Sequence, residues 1–131
     1  MTKTAKIIYW ITTIWLALGM VSTGIVQLLK TEEEVQSMNN LGYPIYLLSI
    51  LGIWKLLGVI AVLIPKSPLL KEWAYAGFFF AMSGAIISHV ANGDNPSILF
   101  GPILLLVLTV LSWYLRPASR KVITNKQPEV A

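Results

Sequence analysis

The sequence contains no cysteine, one histidine and few charged residues. Without cysteine the chain forms no disulfide, thiol nucleophile or iron–sulfur ligation, so redox chemistry would have to run through a bound small molecule. One histidine makes no transition-metal site, and no metal is expected. Charged residues are 12% of the 131 residues and hydrophobic residues 56%, a balance unlike that of soluble domains. The composition predicts an integral membrane protein in a lipid bilayer.

The sequence also lacks the motifs of several common enzyme classes. No GxGxxG, Walker loop, HExxH or GxSxG pattern occurs. An autonomous hydrolase or kinase is therefore disfavoured, and the chain is not expected to be an enzyme on its own. The net charge of +4 comes from residues that flank hydrophobic runs, where membrane orientation explains them, so nucleic-acid binding is not expected.

Four hydrophobic runs are long enough to cross a bilayer as helices. They are predicted over residues 7–29, 44–64, 73–91 and 96–115. The first is too long for a cleaved signal sequence and is interpreted as a retained signal anchor. Pro102, inside the fourth run, predicts a kink or an irregular first turn. The fold class is therefore all-α, an integral membrane four-helix bundle over residues 1–117, followed by a disordered cytoplasmic tail over residues 118–131.

A short helix is predicted between the first two spans. Thr31 and Glu34 have the spacing of a capping box, and Val35 and Met38 recur on one face. Gly42 would end this helix. We expect it to lie on the outer surface of the membrane.

The distribution of positive charge predicts the orientation, because cytoplasmic loops retain lysine and arginine. Among the lysines and arginines outside the spans, only Lys30 lies on one side of the membrane. The other side has Lys3, Lys6, Lys66, Lys71, Arg116, Arg120, Lys121 and Lys126. Both termini are therefore expected in the cytoplasm.

Small residues recur on the predicted second and third spans, where they let membrane helices approach closely. Helix packing is favoured over direct ligand contact for them. The residues expected to pack are Gly52, Gly58, Gly77, Ala81 and Gly84.

Lys55 is the most informative residue, because it lies near the middle of a span where a charge costs at least ~2.5 kcal/mol. No Asp or Glu lies within any predicted span, and Asp94 and the run from Glu32 to Glu34 are expected about 15 Å away along the helix axis. Two interpretations are equally weighted. Lys55 is either a structural lysine bonded to backbone and water or a contact for a ligand.

Polar residues gather at the outer end of the third span. They form the candidate ligand-binding pocket, with Lys55 below it and Gln27 reaching the same level from the first span: Ser88, His89, Asn92 and Asp94. The alternatives are simpler. His89 would hydrogen-bond a neighbouring helix or interfacial water, and Asn92 and Asp94 would be ordinary turn residues.

Several short motifs together resemble the DoxX-like family of small bacterial membrane proteins, over about residues 7–115. They are Leu41-Gly42-Tyr43-Pro44, Gly52-Ile53-Trp54-Lys55-Leu56-Leu57-Gly58, Ile64-Pro65, Lys71-Glu72-Trp73-Ala74-Tyr75-Ala76-Gly77 and Ser88-His89. The resemblance implies a four-helix protein of the bacterial cytoplasmic (inner) membrane. Some proteins of the wider DoxX group look like quinone-linked subunits of redox systems, and many have a glutamate where this sequence has Lys55.

Three functions remain open at this point. The leading hypothesis is binding of a small hydrophobic or quinone-like molecule in support of a membrane redox partner. The second is permeation of a small anion or solute past Lys55. The third is a non-catalytic assembly subunit, in a larger complex or a homo-oligomer, that docks through its small-residue faces.

Overall fold

A computed structural model describes residues 2–121, and these form helices and turns with no strand. Five α-helices follow one another along the chain: α1 (Lys3–Leu29), α2 (Glu32–Leu41), α3 (Tyr46–Leu63), α4 (Pro68–Asn92) and α5 (Phe100–Tyr114). A 3-10 turn, Pro96–Leu99, leads directly into α5. Four segments are long and apolar enough to span a membrane: α1, α3, α4 and Pro96–Tyr114. The all-helical, four-span prediction is confirmed.

The four long helices form a bundle in which α1 packs on α3 and α5, and α4 packs on the same two helices. The start of α1, the α3–α4 connection and the end of α5 lie at one end, which we call the terminal end. The short helix α2 and the α4–α5 connection lie at the other, which we call the α2 end.

Helices α1 and α3 approach each other closely where two glycines face each other. A Cβ added to Gly52 would lie 2.8 Å from the Gly24 carbonyl oxygen and 2.7 Å from Leu28 Cγ. Hydrogen in place of a side chain therefore lets the two backbones touch. This close approach holds the part of α3 that carries Lys55 next to α1.

The other small residues occupy two kinds of surroundings. A Cβ on Gly58 would lie 2.6 Å from the Phe78 ring, so α3 and α4 also meet closely there. By contrast, a Cβ on Gly77 or Gly84 would meet no atom of the described residues within 4 Å. Ala81 is half-buried at the edge of the core. The row of small residues on α4 thus borders open space at Gly77 and Gly84.

Some of the observed helix ends match the caps predicted from the sequence. Gly42 ends α2 with φ of 83°, and the Asn95 side chain caps the 3-10 turn by accepting a hydrogen bond from Ser97 N at 3.0 Å. The capping-box prediction at Thr31 is wrong in detail, because its side chain makes no cap hydrogen bond. Pro102 follows the irregular 3-10 turn that the sequence allowed for.

The C-terminal end of α3 is capped by two buried cations. Lys71 Nζ donates to the carbonyls of Ala61, at 2.9 Å, and Ile64. Arg120 Nη1 donates at 2.9 Å to the Val62 carbonyl, and the same guanidinium also donates to the carbonyls of Leu63 and Ile64. These groups replace the hydrogen bonds that the last turn of a helix lacks, and their positive charge matches the helix dipole.

Arg120 belongs to the segment predicted as a disordered tail. Its guanidinium lies 4.9 Å from the centre of the Trp10 ring, and Ala118–Arg120 form a 3-10 turn. The rest of the predicted tail, from residue 122, lies outside the described residues.

Candidate functional site

A cavity of about 390 Å³ opens at the α2 end of the bundle. Its walls come from α1, α2, α3, α4 and the start of α5, and its apolar lining includes Met38, Leu51 and Leu105. The volume falls in the range of small-molecule sites. Its polar lining contains four of the predicted site residues: Gln27, Lys55, Ser88 and His89.

Lys55 lies at the inner part of this cavity and is 7% exposed. Its Nζ donates a hydrogen bond to Thr23 Oγ1 at 3.2 Å, and it makes no ion pair with any described residue. An ammonium group carries three donors. Lys55 therefore has hydrogen-bonding capacity that the described protein atoms leave unused.

Gln27 faces the same cavity from α1, one turn beyond Thr23. Its side chain is 7% exposed, and its Oε1 has no hydrogen-bond partner among the described residues. Buried amide groups are normally paired, because an unpaired one costs roughly 1–3 kcal/mol. The unpaired amide oxygen marks the cavity as a place where a hydrogen-bond donor fits.

His89 reaches the cavity from the end of α4 and is tied to the loop that follows. Its Nδ1 lies 2.6 Å from Asp94 Oδ2, and Asn92 Nδ2 donates to Asp94 Oδ1 at 2.7 Å. The hydrogen bond with His89, with a smaller contribution from Asn92, holds the pKa of Asp94 below its ordinary value. Because an ionised carboxylate only accepts hydrogen bonds, His89 Nδ1 carries the proton of this hydrogen bond.

The remaining predicted residue, Ser88, lies at the mouth. The Tyr43 hydroxyl and Ser88 Oγ are 2.5 Å apart, so the loop before α3 is bonded to α4. The six residues proposed from the sequence thus come together. Gln27, Lys55, Ser88 and His89 line the cavity, and Asn92 and Asp94 hold His89 from outside.

Four polar lining residues were not proposed for the site from the sequence: Thr23, Glu34, Ser37 and Tyr43. In the structure α2 folds against the bundle, so Glu34 and Lys55 line one cavity. The Thr31 to Leu41 pattern predicted the helix but not the side of the bundle on which it lies.

The cavity ends at an apolar layer in the middle of the bundle. Leu16 and Met20 lie between Thr23 and the terminal end on α1, and Val59, Met82 and Leu108 fill the same level from the other helices. All five are buried. Among the described residues, the layer lies between the cavity and the interior of the bundle at the terminal end.

A second buried polar cluster lies beyond that layer. Ser112 Oγ lies 2.5 Å from Thr13 Oγ1 and 2.8 Å from the Tyr75 hydroxyl. Nearby Tyr9 is fully buried, and its hydroxyl has no partner among the described residues. These hydroxyls bond mostly to one another and join α1, α4 and α5. The cavity is thus open at the α2 end and closed toward the terminal end.

Fold and site together define a multi-pass membrane protein, a four-helix bundle with a polar cavity open at one end. The chain belongs to the DoxX-like family, whose model matches residues 11–112. No curated protein and no solved structure matches the chain. The matched segment contains every residue that lines the cavity.

Proposed function

We propose that the protein binds a small hydrophobic or quinone-like molecule in the cavity and supports a membrane redox partner. The observation that carries the proposal is the pairing of Lys55 and Gln27, two buried polar side chains with unused hydrogen-bonding capacity, in one cavity whose remaining wall is largely apolar. A quinone-like ring matches this lining, because Lys55 can donate to a carbonyl oxygen, Gln27 Oε1 can accept from a hydroxyl of the reduced ring, and the apolar wall packs against the ring faces.

His89 supports the same proposal from the mouth of the cavity. Quinone reduction takes up protons together with electrons, and the electrons would come from the redox partner. A histidine oriented by a carboxylate is suited to hold or pass a proton. The contact between Asp94 and His89 therefore gives the cavity a proton-exchanging group close to the surface.

The closed inner end of the cavity weighs against permeation. A solute that passed Lys55 would have to cross the buried layer around Leu16, Met20 and Leu108, where no described polar group replaces its hydration. The geometry favours a binding site over a channel through the bundle.

The binding proposal is tested by native mass spectrometry of the protein purified in mild detergent. We expect a discrete small-molecule adduct on the wild type and on Lys121→Met, which changes an exposed lysine outside the cavity. Lys55→Met should lose the adduct and bind an added quinone roughly 10- to 100-fold more weakly, the loss expected for a hydrogen bond from a charged group. Only bulk lipid on all three proteins would contradict binding and favour an assembly subunit.

We also propose the bacterial cytoplasmic membrane as the location, with both termini in the cytoplasm. The sequence has no cysteine, so single introduced cysteines are the only thiols. Asn40→Cys and Asp94→Cys should react with a membrane-impermeant maleimide in intact cells, and Lys121→Cys should react only after lysis. The reverse labelling pattern would overturn this orientation.

A further inference from the structure

A second hollow, which we call the α3–α4 groove, lies on the outside of the bundle. It has a volume of about 430 Å³ and runs between α3 and α4. Its lining is apolar apart from Lys55, with Trp54 and Trp73 at its exposed rim. In a membrane-spanning bundle this groove opens sideways, toward the lipid.

The groove and the polar cavity share three lining residues: Leu51, Lys55 and Ala81. Lys55 therefore lies where the two hollows meet. One side of it faces the polar cavity with Gln27, and the other faces an apolar surface open to the bilayer. A molecule that contacts Lys55 with a polar head has a direct path for an apolar chain into the groove.

We infer that the ligand is a single-chain amphiphile whose polar ring lies in the cavity and whose apolar chain lies in the α3–α4 groove. This inference rests on the proposed function and adds to it the shape of the ligand and its route of entry. The molecule enters laterally from the bilayer, between α3 and α4, and its head then hydrogen-bonds Lys55.

The depth of Lys55 distinguishes this ligand from an ordinary phospholipid. Lys55 is near the middle of α3, and the groove runs from Leu51 to Ala61, about 15 Å of helix or half of a hydrocarbon core about 30 Å thick. A phospholipid head stays at the membrane surface, whereas this head lies at mid-depth with its chain directed toward the terminal end. A lipid-soluble molecule with a weakly polar ring can occupy that depth.

Two glycines on α4 allow the two hollows to be blocked separately. Gly77 lines the groove and Gly84 lines the cavity, and a Cβ on either meets no atom within 4 Å. The Cβ of a leucine at either position therefore contacts no neighbour, and the side chain fills space in the groove or in the cavity. Ala76→Leu changes an exposed residue of the same helix that lines neither hollow and is the matched control.

The test compares the affinities of decylubiquinone and its chainless parent ring for each variant in one detergent, so that partition into micelles is the same throughout. We expect Gly77→Leu to weaken decylubiquinone roughly tenfold and to leave the chainless ring unchanged, because only the chain meets the new side chain. Gly84→Leu should weaken both probes, and Ala76→Leu neither.

The outcomes separate this inference from the proposed function. If the wild type binds both probes and Gly77→Leu leaves the ratio of their affinities unchanged, the groove does not hold the chain and the inference is wrong. The inference is also wrong if Gly77→Leu removes only a phospholipid adduct in native mass spectrometry. If the wild type binds neither probe, the proposed function itself fails, and the inference with it.

Discussion

Gly52→Ala is expected to lower the free energy of unfolding by about 2–3 kcal/mol, toward the upper end of overpacking effects. Its new methyl group would lie 2.8 Å from the Gly24 carbonyl oxygen, a backbone atom that moves only if α1 and α3 separate. The 2.7 Å approach to Leu28 could be relieved by a rotamer change, but the backbone contact could not. Thermal unfolding in detergent, followed by circular dichroism, measures the loss.

Gly77→Ala is the control for this prediction. It makes the same chemical change in another membrane helix, at a position with no atom within 4 Å of the added carbon, and no loss of stability is expected. Equal stabilities for Gly52→Ala and Gly77→Ala would show that the α1–α3 approach is not a tight contact. Separation of α1 and α3 should also weaken ligand binding, because it would break the hydrogen bond from Lys55 to Thr23.

The contrast between these glycines shows what the sequence could and could not predict about the fold. The lengths and hydrophobicity of the four spans follow directly from bilayer thickness, and they were predicted within a few residues. A stripe of small residues shows only that close approach is possible on that face. Gly52 packs closely because Gly24 lies opposite it, whereas no described atom lies within 4 Å of a Cβ on Gly77 or Gly84. Which of these glycines packs against another helix depends on a distant part of the chain, and the spacing of small residues does not show it.

The candidate site was predicted in its residues more than in its shape. The depth of Lys55 and the polar residues after Ile87 identified both ends of the cavity, because polar groups are rare inside membranes. Glu34 and Tyr43 were missed because their place depends on how α2 and its loop fold back, which local pattern does not determine. The groove was missed because its lining is indistinguishable in sequence from any lipid-facing surface.

The cap on α3 was missed for a different reason. Lys71 and Arg120 were counted among the positive charges that set orientation, and in the structure both are buried against carbonyls. The sequence did contain a signal for this cap. Helix α3 ends at Leu63, and its C-cap residue, Ile64, precedes a proline, with no glycine to form a C-cap, so its last carbonyls needed donors from elsewhere.

Lys55→Met and Lys71→Met are expected to change stability in opposite directions. Lys71 donates to the carbonyls of Ala61 and Ile64, and Arg120 also donates to that of Ile64. Loss of Lys71 would therefore leave the Ala61 carbonyl without its donor and lower the free energy of unfolding by roughly 1–3 kcal/mol. Lys55 has one hydrogen bond, to Thr23, and no carboxylate partner among the described residues. Methionine removes a charge from the middle of a span and should raise the free energy of unfolding of the ligand-free protein by about 1–3 kcal/mol.

This pair of variants decides between the two interpretations of Lys55. If Lys55→Met destabilises the ligand-free protein as much as Lys71→Met does, Lys55 is structural and the binding site loses its central residue. If Lys55→Met stabilises the protein, Lys55 does not stabilise the fold, and contact with a ligand is the remaining interpretation of this residue. Added quinone should then raise the melting temperature of the wild type, since a molecule that binds only the folded state stabilises it, and should leave that of Lys55→Met nearly unchanged.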